Sequence, residues 1–204
     1  MRRIFSIILL LIGLTAFAQE PSTGNDNKYN EVNYARLPEL KVGGEDGVSA
    51  PFAGRFGKKV IVAGGCNFAD QPAADGGQKV FYRDVYQLDL DKTDEGWTVV
   101  GKLPQVMAYG VSVTVNDGIV CIGGTDGTQS SSKVFLMQQD GKGGITCKDL
   151  PALPKALDNA CGAYDGKGYI YVAGGKADGK PSKAAWRLKY PGGEAWEALP
   201  DMPG

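Results

Sequence analysis

The sequence predicts an all-β chain arranged as a β-propeller, and three observations carry that expectation. An apolar strand ending in a glycine pair recurs three times. The same kinds of residue flank each copy at a similar interval. Glycine is abundant, 30 of 204 residues, and falls largely in pairs and turns. Chains built from short strands and tight turns have this composition.

The glycine-pair strands end at Gly64-Gly65, Gly123-Gly124 and Gly174-Gly175, at intervals of 59 and 51 residues. Ahead of each lies another strand and a tight turn. These are Phe52-Ala53 before Arg55-Phe56-Gly57, Val111-Ser112-Val113 before Asn116-Asp117-Gly118, and Cys161-Gly162-Ala163 before Asp165-Gly166. Asp-Gly between apolar runs signals a hairpin, because both turn residues need positive φ. After each glycine pair a polar loop leads to a third strand, over 84–90, 133–137 and 184–190. A short outer strand follows, with Trp97 in the first copy, Ile145-Thr146-Cys147 in the second and Trp196 in the third. A Leu-Pro pair closes each copy, at Leu103-Pro104, Leu150-Pro151 and Leu199-Pro200. Each repeat is therefore expected to be four antiparallel strands.

A period near 50 with these landmarks is the kelch pattern. Radially arranged blades crowd the backbone near a central channel, where glycine permits close approach. Tyr86, Trp97, Trp186 and Trp196 are expected to fill the widening gaps between blades. One blade cannot bury both faces alone, so neighbours are required. A β-sandwich also has short strands, but it does not predict a fixed period with recurring landmarks.

The expected blades span 49–104, 105–154 and 155–200, within a partial kelch-type propeller over 31–204. Residues 33–40, ending Leu37-Pro38-Glu39-Leu40, resemble the closing strand and Leu-Pro pair of a further repeat. Propellers have about four to eight blades. Three imply a fragment of a longer protein, with two copies pairing to make six blades as the lesser alternative.

Residues 1–18 read as a secretory signal peptide. Arg2 and Arg3 start it, an apolar run follows over 4–14, and Ala16-Phe17-Ala18 offers the small residues a signal peptidase reads. That run is too short to span a membrane, which takes about 20 residues. A bacterial periplasm is the expected destination. Residues 19–30 read as a disordered leader. Cleavage removes two arginines and leaves 20 cations against 23 acids, a net charge of about −3. That balance offers no basic patch for nucleic acid, and no later run suits a membrane span.

The four cysteines, Cys66, Cys121, Cys147 and Cys161, match no metal motif, and an oxidising compartment permits disulfides. The simpler reading makes Cys121, Cys147 and Cys161 small buried strand residues. The absence of histidine excludes Ser-His-Asp, Cys-His and histidine–metal sites, and acid–base chemistry would fall to carboxylates, arginine, lysine or tyrosine. No phosphate-binding GxxxxGK and no Rossmann fingerprint occurs, and no cofactor or metal is expected.

Two loop types should reach one mouth of the channel: those after the glycine pairs and those linking one blade to the next. They present Cys66, Asn67, Phe68 and Asp70, then Thr125 and Asp126, then Lys176 and Asp178. The linking loops add Asp46, Tyr109, Asp158 and Asn159, and Arg83 lies where the long first loop rejoins a strand. Asn67, Arg83, Tyr109, Asp126 and Asn159 are the candidate sugar-binding residues. Against each stands a plainer role, such as turn-shaping for Asp126.

The first repeat is more particular. Asp46-Gly47-Val48-Ser49-Ala50-Pro51-Phe52-Ala53-Gly54, Ala63-Gly64-Gly65-Cys66-Asn67-Phe68 and Gly76-Gly77-Gln78-Lys79-Val80-Phe81-Tyr82-Arg83-Asp84 resemble the kelch-type N-acetylneuraminate (sialic acid) epimerases or mutarotases, especially their cyclically permuted branch. Tyr109-Gly110-Val111-Ser112 and Ile122-Gly123-Gly124 continue the resemblance. It implies a six-bladed periplasmic enzyme interconverting the α and β anomers of sialic acid. It also implies that the catalytic glutamate and its arginine partner lie beyond residue 204. This sequence has Ala73-Ala74-Asp75 where family members often carry Trp-Glu. The alternatives are a non-catalytic kelch module binding a glycan or protein, and a structural repeat domain of a larger surface protein.

Overall fold

A computed structural model describes residues 36–203. The expected signal peptide and leader, and residues 33–35, lie outside the described residues. No α-helix occurs among the described residues, and no helix there is long and apolar enough to cross a membrane.

Three four-stranded antiparallel sheets follow one another along the chain. The first comprises Phe52–Phe56, Lys59–Ala63, Asp84–Asp89 and Thr98–Lys102. The second comprises Val111–Val115, Gly118–Ile122, Val134–Gln139 and Ile145–Leu150. The third comprises Cys161–Tyr164, Tyr169–Ala173, Ala185–Lys189 and Glu197–Leu199. Within each, sequence order is spatial order, which is the meander of a propeller blade.

Alternation along the second blade assigns its two faces. Ile119, Cys121, Phe135 and Met137 point at the first blade and pack with Phe52, Ile61 and Val85. Val120, Ile122, Val134 and Leu136 point at the third and pack with Ile170, Val172, Trp186 and Trp196. Phe52 meets Phe135 edge to face, with ring centroids 5.8 Å apart. The inner strands approach closely enough for the Ala53 amide to donate to Ser112 Oγ at 2.9 Å. A Cβ on Gly54 would lie 2.6 Å from Ile119, so a side chain there would push the blades apart.

Outer edges are tied by a repeated bond. The Trp196 indole donates to the Pro151 carbonyl at 2.8 Å, and the Trp97 indole donates to the Pro38 carbonyl at 2.9 Å. Leu37-Pro38 thus stands to the first blade as Leu150-Pro151 stands to the third. Residues 36–40 carry no strand, however. The next regular element is an inserted hairpin, Lys41–Val42 paired with Glu45–Asp46.

The Leu-Pro landmark needs one correction. Leu150 and Leu199 pair with Val134 and Ala185, but Leu103 does not take that place. Its amide donates to the Arg83 carbonyl, as those of Leu153 and Met202 donate to Ser132 and Lys183. Leu103 is therefore the counterpart of Leu153 and Met202. A bulge at Val85/Tyr86 shifts the first outer strand's register.

All four cysteines are free; Cys66 and Cys121 are buried, Cys147 is half-buried, and Cys161 is exposed. The expectation that Cys147 and Cys161 are buried strand residues is corrected: Cys147 is only partly covered on its outer strand, and Cys161 is exposed. Among the described residues the inner strand of Cys161 packs against the second blade on one face, and no residue of Cys161–Tyr164 is buried.

Candidate functional site

The two loop types meet in all three blades. Ser49 bridges Cys66, Ala108 bridges Thr125, and Asp158 bridges Lys176. One residue further along each linking loop, Ala50, Tyr109 and Asn159 all take positive φ, at 50°, 59° and 54°. The left-handed region costs a non-glycine residue about 1 kcal/mol or more. The three are linked: the Tyr109 amide donates to the Ala50 carbonyl at 3.0 Å, and the Asn159 amide donates to the Tyr109 carbonyl at 2.8 Å. The mouth is thus a backbone chain running across the blades, and it fixes where Tyr109 and Asn159 stand. Gly110 is required beside it, since a Cβ there would lie 2.3 Å from the Phe52 ring.

A cleft of about 620 Å³ opens at this mouth and takes residues from all three blades. Tyr109 and Asn159 line it, with Phe68, Lys79 and Phe81 from the first blade's loop and Thr125, Asp158 and Lys176 from the others. Lys79 donates to the Tyr109 hydroxyl, and its ammonium lies 5.0 Å from the Tyr109 ring centroid and 5.7 Å from that of Phe68. The Tyr109 hydroxyl beside it raises the Lys79 pKa above the ordinary lysine value. Asp158 accepts hydrogen bonds from the Ser130 hydroxyl and the Asn159 amide. Gly127 closes over Phe81, where a Cβ would lie 2.5 Å from the ring. Aromatic faces, a carboxylate, an amide and two lysines suit a polar ring with an acidic substituent.

The other predicted residues stand elsewhere. Asn67 is built into its own loop. Its amide donates to the Val42 and Gly47 carbonyls at 2.9 and 3.0 Å, and its oxygen accepts from the Tyr82 hydroxyl at 2.8 Å. With Asp46 and Asp70 it lines a separate cleft of about 420 Å³. Asp126 shapes a turn, accepting from the Thr128 hydroxyl and the Thr128 and Gln129 amides; the Thr128 hydroxyl foremost holds its pKa below the usual carboxylate range. Arg83 is exposed and lines neither cleft. Lys79 was absent from the sequence-based candidates, although it sits between the conspicuous Gly76-Gly77 and Val80-Phe81. Among the described residues no cluster of carboxylates or thiols is arranged to hold a metal ion.

Comparison with known proteins gives a consistent result. The model of the N-acetylneuraminate epimerase family matches residues 12–145. A curated N-acetylneuraminate epimerase of Brucella suis (strain ATCC 23445 / NCTC 10510) is 39% identical over 108 residues, which are 48% of this chain and 27% of that protein. One from Yersinia pestis is 37% identical over 109 residues, and one from Haemophilus influenzae (strain 86-028NP) is 33% identical over 120. The matched part is 27% to 31% of these relatives' length. The repeats, their glycine pairs and the family match agree, and the chain belongs to the N-acetylneuraminate epimerase family.

Proposed function

We propose that this chain forms three blades and part of the substrate mouth of a periplasmic sialic acid mutarotase, which speeds exchange between the α and β anomers of N-acetylneuraminate. The observation that carries the reading is the cleft at Tyr109 and Asn159, where blade packing brings two lysines and three aromatic rings around a space of sugar size. Anomer exchange opens the ring at the anomeric carbon. One group takes the proton of the anomeric hydroxyl, and another gives a proton to the ring oxygen. The described residues bind and orient the sugar in this proposal, and the acid–base pair is assigned to blades that this chain does not include. Export follows from the signal-peptide pattern at Arg2, Arg3 and Ala16-Phe17-Ala18.

The test is anomer exchange of N-acetylneuraminate followed by NMR with the full-length protein. Exchange faster than in buffer is the expected result; an unchanged rate contradicts the mutarotase reading. Arg83→Ala should leave sugar affinity unchanged, because Arg83 lies outside the cleft, and a loss of affinity would return it to the site.

A further inference from the structure

We infer that Lys79 is the residue by which the cleft selects acidic over neutral sugars, with Lys176 as a second cation; the inference rests on the sugar-acid reading above and deepens it. Lys79 is held by neutral groups alone. Its ammonium donates to the Tyr109 hydroxyl and lies over the Tyr109 and Phe68 rings. The ion-paired lysines Lys41, Lys58, Lys92, Lys102 and Lys155 each face a carboxylate within 4.0 Å. Lys79 and Lys176 have no such ion pair among the described residues. The carboxylate lining the cleft, Asp158, already accepts from Ser130 and Asn159. The cleft therefore carries positive charge that its own residues do not neutralise.

An ammonium has three donors, and Tyr109 takes one, which leaves two for a ligand. A carboxylate would gain charge-assisted hydrogen bonds, about twice as strong as neutral ones. A neutral sugar would gain little from a cation already bonded to a hydroxyl. The rings hold the flexible side chain in one place, so little entropy is lost when a ligand arrives. Lys79 comes from the first blade's loop and Tyr109 from the linker to the second, so the packing of the two blades sets the position of the cation.

The experiment is calorimetric titration of the full-length protein with N-acetylneuraminate and its methyl ester, and with glucuronate and its methyl ester. The wild type should prefer acid to ester by about tenfold or more. Lys79→Met keeps the apolar stem and should remove most of the acid's advantage over the ester, the remainder belonging to Lys176, with the ester's affinity and the melting temperature unchanged. Lys79→Arg should retain the preference. A Lys79→Met protein that still prefers the acid as the wild type does overturns the inference and leaves the mutarotase reading standing. If the wild type binds neither form of N-acetylneuraminate, the mutarotase reading fails instead. The glucuronate pair then decides Lys79 separately: a preference largely lost in Lys79→Met upholds the inference, and no preference in the wild type overturns it.

Discussion

The second and third blades have the same four-stranded meander but different surroundings. In the second, every residue of the glycine-pair strand Gly118–Ile122 is buried, whereas in the third only Ile170 and Val172 of Tyr169–Ala173 are. Val111 and Val113 of the second inner strand are buried, yet their counterparts Cys161 and Ala163 are exposed. Among the described residues, the second blade packs against a neighbour on either side, and the first and third pack against the second. Stability in such arrays is a sum of nearest-neighbour interfaces, so equivalent substitutions should cost very different amounts in the two blades.

The largest contrast should come from the first residue of the inner strand. Phe52 is fully buried against Phe135 of the second blade. Phe52→Ala is expected to cost about 3–5 kcal/mol in urea unfolding, whereas Cys161→Ala at the equivalent exposed position should stay within about 0.5 kcal/mol. Equal costs would break the nearest-neighbour account.

Glycine pairs give the next contrast. A Cβ on Gly123 would lie 2.5 Å from the Leu157 carbonyl oxygen, a backbone atom that cannot yield locally. A Cβ on Gly174 would crowd the flexible end of the Met202 side chain, at 2.9 Å, and would stand at an ordinary 3.9 Å from the Ser182 carbonyl oxygen. Both have positive φ. Gly174→Ala should therefore cost about 1–2 kcal/mol for the left-handed backbone alone, and Gly123→Ala clearly more. Thermal melts of the two variants read the difference.

A smaller effect belongs to the bond between the second and third blades. The Tyr190 hydroxyl donates to Asp117 at 2.7 Å, and burial, then Asp117, pushes its pKa well above the ordinary tyrosine value. Tyr190→Phe should cost about 1 kcal/mol. The native state resists ionising Tyr190 while the unfolded chain ionises it near pH 10. This contribution is therefore complete below that pH and declines as pH rises above it. Tyr190→Phe should lessen the alkaline loss of stability, and an unaltered pH profile would contradict that.

The smallest perturbation is chemical. Under native conditions a thiol reagent should label Cys161 and leave Cys121 untouched, since burial holds the Cys121 thiol well above its usual pKa. Labelling of Cys121 first would reverse the contrast between the blades.

The repeats were legible because the glycine pairs, all at positive φ, mark a backbone conformation that few other residues adopt; the Asp-Gly turns did not need it, since neither Asp117 nor Asp165 has positive φ. The register of the first outer strand was not, because the bulge at Val85/Tyr86 leaves no mark in composition. Tyr109 and Asn159 could be found from the period, which places both two residues before an inner strand. Asn67 and Asp126 looked alike as polar loop residues, but hydrogen bonds within their own loops engage them. Lys79 is not marked by the repeats because its loop is longer than those after the other two glycine pairs, and only the packing of Tyr109 and Phe68 gives it a place.

The central claim is that the cleft between the blades is the sugar site. Isotope-edited NMR of the full-length protein during titration with N-acetylneuraminate tests it most directly. The account predicts saturable shifts at Lys79, Tyr109, Asn159 and Lys176, with Asn67 and Asp70 unmoved. Shifts confined to Asn67 and Asp70, or absent from the Tyr109 cleft at saturation, would contradict it.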